Sequence, residues 1–211
     1  MATESMQLVV VGAGGHGRAV AELAGLAGHG VAGFLDARPP DAEVDGLAVW
    51  VESAGGGALP GNAEAVAFGI GDNLARLAAS QRYAMAVQPV LVHPRGFVSP
   101  TARLSAGTVV FPGAVVHTAA RIGRVGIVNS GAIVEHDCRL DAGVHVAPGA
   151  VLCGAVQVGE GTLVGAGAVI LFGCSVGVWA IIGAGAVVTG DVPDRTVVRG
   201  APARPGGAAR G

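Results

Sequence analysis

Three titratable side chains stand consecutively at Glu135-His136-Asp137. An imidazole beside a carboxylate is the smallest general-base unit. The carboxylate holds one ring nitrogen protonated and stabilises the imidazolium once the other nitrogen has taken a proton. A second concentration of chemistry lies near the start, at Gly12-Ala-Gly14-Gly15-His16-Gly17. Glycines at this spacing let backbone N–H groups and a helix N-terminus approach phosphate oxygens. Asp36 follows about 20 residues later, where a ribose-binding acid belongs. His16 adds a donor inside the loop. A second glycine loop, Gly69-Ile-Gly71-Asp-Asn73, offers Gly71 and Asn73 to the same ligand.

The elements that position these groups follow from two rhythms. From Val92 to Val188 every sixth residue is aliphatic, seventeen in register without a miss. A helix repeats near 3.6 residues and a flat strand near 2, so a period of six fits neither. It fits a chain that turns a corner every six residues and returns one side chain to a shared axis, a hexapeptide β-helix. If three hexads make a coil, residues 18 apart stack at about strand spacing. Val134 then points inward, His136 stands on the wall, and Gly154 lies one coil from it, where its N–H could stabilise a developing oxyanion. Residues 7–88 read instead as a βαβ unit. Strands are expected at Leu8–Val11, Val31–Leu35 and Ala65–Phe68, with helices from Arg18 to about Ala27 and from Leu74 to about Tyr83. The stretch from Pro39 to Pro60 reads as irregular. The expected fold is thus an α/β Rossmann-like βαβ domain (1–88), a parallel β-helix (89–190), and a C-terminal extension (191–211) that leaves the repeat and ends in a partly disordered tail.

Composition narrows the classes. A net charge of -2 offers no strong attraction to nucleic acid or an anionic membrane. All thirteen basic residues are Arg, which excludes a P-loop lysine and a lysine Schiff base. Gly, Pro and charges interrupt every apolar run before it reaches the ~20 residues of a membrane span, and the start lacks signal-peptide features. Cys138, Cys153 and Cys174 have no metal-ligand spacing. Cys138 and Cys174 take the fifth hexad place, where small residues sit elsewhere, as expected of buried thiols in a reducing cytoplasm.

The segments VVVGAGGHG, FLDARP, NSGAIVEHDC, HVAPGAVLCG and RGAPAR occur in order along nearly the whole chain. Together they resemble the sugar acyltransferase family that contains the bacterial UDP-4-amino-sugar N-acetyltransferase of bacillosamine synthesis and the sialic-acid O-acetyltransferases. The resemblance implies a left-handed β-helix, a homotrimer, and acetyl-CoA as acyl donor lying along the β-helix, with no metal. It implies His136 as general base and Asp137 as its orienting acid, although the bacillosamine enzyme has Glu there. Gly12, Gly14, Gly15, His16, Gly17, Asp36, Gly71, Asn73 and Asn129 become acceptor-binding positions. Gly154, Ala166 and Ala184 become acetyl-CoA contacts, and His145 a contact of the donor thioester or of the acceptor. The expected reaction is N-acetylation of a nucleotide-activated sugar, with a UDP-linked 4-amino-dideoxy sugar as acceptor.

Other readings compete. A sugar hydroxyl, or a GDP- or dTDP-linked amino sugar, would keep the enzyme class. An NAD-dependent oxidoreductase would use Gly12–Gly17 and Asp36, though a unit of this size holds only half of the usual double βαβαβ arrangement. A non-catalytic trimer that binds a nucleotide-sugar is a third. A zinc site of carbonic-anhydrase type would need His117, His136 and His145 to converge.

Overall fold

The computed structural model describes residues 5–36, 43–53 and 56–208. The N-terminal unit holds β1 (Gln7–Val11), α1 (Gly15–Leu26), β2 (Gly30–Asp36), β3 (Glu43–Val44), β4 (Leu47–Val51), β5 (Ala65–Phe68) and α2 (Asn73–Arg82). They form one sheet in the order β3-β4-β2-β1-β5. β2 is central; β1, beside it, runs parallel to both β2 and β5, while β3 returns antiparallel on β4. Leu8 to Val11 are completely buried, which explains the uninterrupted aliphatic run. Positions 39–42, at the start of the stretch read as irregular, lie outside the described residues.

Both helices begin earlier than the sequence suggests. α1 starts at Gly15, so His16 and Gly17 belong to its first turn and not to a free loop. Glycine at position 17 is a matter of space: a Cβ there would overlap the Gly12 carbonyl oxygen. α2 starts at Asn73 because the Asp72 side chain caps it, accepting the Ala75 N–H at 2.8 Å.

From Leu91 the chain becomes a parallel β-helix of two-residue strands in three sheets. One coil is three hexads: Val116 pairs with Val134, and Val134 with Leu152. The second residue of each strand fills the axis, with Val116, Ile122, Val128, Val134, Leu140, Val146 and Leu152 all buried in one cluster. The fifth hexad place is also internal. Cys138 is fully buried there and its Sγ donates to the Cys153 carbonyl, while Thr162 Oγ1 donates to Gly177 O. Burial pushes the Cys138 thiol up to about 11, which makes it a poor nucleophile.

The N-terminal unit lies on one sheet only. Leu91, Val109, Phe111 and Ile127 share a buried cluster with Leu8, Val10 and Ala24. Val125 and, at its edge, Trp179, both on the adjacent corner, join Phe68 and Leu77. The C-terminal segment leaves the six-residue register yet stays paired to the β-helix. Val197 and Val198 pair in parallel with Ile181 and Ile182, and Arg204–Ala208 returns antiparallel. Val198 takes the place that a full coil would give to Gly200, so the last coil is short and a strict period of six loses it. Positions 209–211 lie outside the described set. Among the described residues no helix is long and apolar enough to cross a membrane.

The axial stack carries the stability. Leu152→Ala should cost about 2–5 kcal/mol, whereas Gln157→Ala, exposed on the same coil, should stay within about 0.5 kcal/mol. Chemical denaturation followed by far-UV circular dichroism measures both.

Candidate active site

His136 and Asp137 stand on the corner between the sheet that carries Val134 and the sheet that carries Leu140. Asp137 adopts φ 62°, a left-handed conformation that many other corners assign to glycine. There its carboxylate meets the ring: His136 Nδ1 donates to Asp137 Oδ2 at 2.8 Å. That fixes the proton on Nδ1 and leaves Nε2 free to accept one. Glu135 faces elsewhere, 3.8 Å from His117 Nε2. Gly154 lies directly beside the ring, since a Cβ built on it would be 2.5 Å from both Cε1 and Nε2 of His136. Any side chain at 154 would displace the imidazole. Phe172, one coil further, places its ring 6.5 Å from that of His136 and is largely exposed. Ala166 and Ala184 are exposed at the third hexad place of a different corner. Among the described residues neither backbone N–H has a backbone acceptor.

The remaining candidates gather on the opposite side of the prism, where the N-terminal unit meets its sheet. Gly14 and Gly15 are exposed at the mouth of the first loop, with open space where a Cβ would be. Asp36 is tied to that loop, its Oδ2 accepting the Ala13 N–H at 2.6 Å. Arg18 and Asp45 form a two-point ion pair at the same mouth, 2.7 and 2.9 Å, beside a cavity of about 340 Å³. Nothing in the sequence linked those two residues, which are 27 apart.

His16 turns inward instead of standing as a free donor. Its ring lies 5.5 Å from that of Phe111 and 6.3 Å from that of His145, and its Nε2 is buried without a partner. Burial, with a smaller contribution from the Arg76 charge, holds it down to about 4, so the imidazole is neutral near pH 7. His145 is lowered to about 4 by burial first, then by Arg76 and His16. Its Nε2 lies 3.1 Å from Asn129 Nδ2, and Ser130 N–H donates to Asn129 Oδ1 at 2.8 Å. The backbone bond orients the Asn129 amide, so Nδ2 donates, Nε2 accepts, and the His145 proton sits on Nδ1. His145, Gly71, Asn73, Trp179 and Arg195 line a cavity of about 350 Å³. Asn73 is a structural member of its wall, with Nδ2 donating to Gly161 O at 2.9 Å. Trp179 and Arg195 escaped the sequence reading. A tryptophan at a left-handed corner (φ 56°) was the available signal.

In one chain, therefore, the dyad and the acceptor-side residues do not converge. Among the described residues no three His, Cys, Asp or Glu side chains converge on a metal position. His117, His136 and His145 fail to do so because His145 lies across the prism.

Residues 7–83 match the PglD N-terminal domain family. Over 95% of its length the chain is similar to the acetyltransferase domain of PglB from Neisseria gonorrhoeae FA1090, solved with acetyl coenzyme A, at 38% identity, a TM-score of 0.88 and 99% of that chain. It is similar to a histidine-to-asparagine variant of perosamine N-acetyltransferase from Caulobacter crescentus, solved with CoA and GDP-perosamine, at 35% identity and a TM-score of 0.90, over 95% of this chain and 97% of that one. WeeI from Acinetobacter baumannii AYE, 24% identical with a TM-score of 0.85 over 95% of this chain and 100% of that one, shares the fold. None of the curated proteins compared by sequence matches. The fold and these likenesses define an acyltransferase of the hexapeptide-repeat β-helix class. The chain belongs to the PglD-like sugar acetyltransferase family.

The two neutral imidazoles make a prediction. Unfolded, each would titrate near 6.5, and folded, near 4. Between those values the unfolded chain binds more protons, so stability is lost as pH falls through that window and is full above it. Urea unfolding across pH 4 to 7 should show this slope, and replacing both His16 and His145 by Gln should flatten it.

Proposed function

We propose that the chain is an acetyl-CoA-dependent N-acetyltransferase of a nucleotide-activated amino sugar. The observation that carries this is the His136–Asp137 dyad, oriented at 2.8 Å over a bare Gly154 edge. The relatives bound to acetyl-CoA, or to CoA with GDP-perosamine, support the two substrates. A UDP-linked 4-amino-dideoxy sugar is the acceptor we favour, on the resemblance to the bacillosamine enzyme. The GDP-linked acceptor of the Caulobacter enzyme is the second reading.

In this mechanism the acceptor amine attacks the thioester carbonyl directly. A C–N bond forms, the C–S bond breaks, and His136 Nε2 takes the proton from the amine while Asp137 stabilises the imidazolium. The proton then passes to the departing CoA thiolate, and no covalent enzyme intermediate is needed. The Gly154 N–H serves the carbonyl oxygen as charge develops. The free N–H groups of Ala166 and Ala184 suit the amide-bearing arm of the donor. The first glycine loop with Asp36 holds the nucleotide, and the cavity beside His145 takes the sugar end. Because the dyad lies across the prism from that cavity, the site requires the dyad of a second copy, which the proposed homotrimer supplies.

Incubation with acetyl-CoA and a panel of UDP-, dTDP- and GDP-4-amino sugars, monitored by free thiol release, tests the reading. His136→Ala should lower the rate by about 100-fold or more, and Asp137→Asn by about 10-fold, with assembly unchanged. Full turnover by His136→Ala would refute the base assignment, and no thiol release from the unaltered protein with any acceptor would refute the activity.

A further inference from the structure

Arg76 is 1% exposed and is among the largest side chains buried in the molecule. Its guanidinium places every donor nitrogen. Nε donates to Val125 O at 2.8 Å, Nη1 to Ile70 O and Gly71 O at 3.0 and 3.1 Å, and Nη2 to Asn73 Oδ1 and Gly143 O, both at 2.8 Å. Asn73 in turn donates to Gly161 O. Val125, Gly143 and Gly161 each stand one coil beyond the last, so the pair grips three successive coils at one corner. Every acceptor is uncharged, and among the described residues no carboxylate bonds the guanidinium. A buried cation without a bonded counter-ion is costly, and an apolar residue of similar size would fill the same space more cheaply. Packing alone does not account for the charge.

We propose that Arg76 is a positioning residue for acyl transfer: it locks the second glycine loop to the β-helix as one wall of the acceptor cavity and sets a bare positive charge behind His145. The inference rests on the acetyltransferase reading above. The Ile70 and Gly71 carbonyls point at the guanidinium, so across each trans peptide the N–H groups of Gly71 and Asp72 point the other way. Gly71, Asp72 and Asn73 line the cavity together with His145. Gly143, whose carbonyl Nη2 holds, comes just before His145 in the chain.

The charge has a chemical use. The groups around it are Asp72 on its own helix, His16 on α1 and His145 on the β-helix sheet. Arg124, bonded to Ser80, and Arg195 at the cavity rim add the same sign. Asp72, the cap of α2, is an opposite charge whose field reaches Arg76 without a hydrogen bond to it. The Arg76 charge is a secondary cause, after burial, of the neutrality of both imidazoles. An ammonium brought into the cavity meets the same repulsion, which favours the free amine that attack requires.

The test compares Arg76→Gln and Arg76→Lys by NMR titration of His145 and by steady-state kinetics with the acceptor that turns over. In folded Arg76→Gln the His145 titration should move upward. Its acceptor KM should rise about tenfold while the acetyl-CoA KM stays within about twofold. Arg76→Lys should keep the titration near that of the unaltered protein yet still raise the acceptor KM, because an ammonium cannot span the same set of carbonyls. An unchanged titration or an unchanged acceptor KM in folded Arg76→Gln would overturn the proposal. Should that variant not fold, His145 of the unaltered protein titrating at or above the ordinary imidazole value would do so. The titration needs no substrate, so its result is independent of whether the protein transfers acetyl groups at all.

Discussion

Stacking of one aliphatic side chain per hexad onto a common axis is the constraint on which the rest depends. It leaves no freedom in where the other residues go. Once Val134 is inside, His136 is on a corner, Asp137 must take the left-handed turn that follows, and Gly154 must lie beside the ring one coil later. The dyad is therefore built on rigid backbone, held by parallel pairing above and below, and not on a loop that must close. An orienting bond of 2.8 Å between adjacent residues needs such a corner, since neighbours on a flat strand point to opposite faces.

The same periodicity supplies the joint between the two units. Corner carbonyls recur once per coil, and Arg76 with Asn73 takes up three of them. Hydrophobic contact of Leu91, Val109 and Ile127 with the N-terminal core adds area to that joint. Between these contacts the half-buried imidazoles of His16 and His145 stay neutral. A partly apolar cavity with neutral imidazoles in its wall and a fixed cation behind it suits a substrate whose nucleophile must be an amine and not an ammonium.

Much of this was legible in the sequence. The aliphatic register gave away the β-helix, the position of His136 and the proximity of Gly154, because each follows from counting along a solenoid. The strands and glycine loops of the N-terminal unit were legible for the same local reasons. What failed was long-range. His145 falls half a coil from His136 by the same count, but no local signal says which of three sheets the N-terminal unit covers, so the meeting of His145 with that unit was not legible. Arg76 looks like any arginine on a polar helix. Its burial depends on carbonyls that come from 49 to 67 residues away. The pairing of the last coil was not legible because it is shorter than three hexads, and the inward turn of His16 was not because helix α1 begins inside the glycine motif.

The central claim is that base and acceptor cavity come from different copies of the chain. Subunit complementation tests it most directly. His136→Ala removes the base, and Gly14→Trp fills the open mouth of the first loop without touching the core. Each variant alone should be inactive. Co-expressed subunits that assemble at random into rings should recover about a quarter of the unaltered activity, since one junction in four then pairs an intact base with an intact cavity. Mixed assemblies that stay inactive would contradict the account and place both halves of the site within one chain.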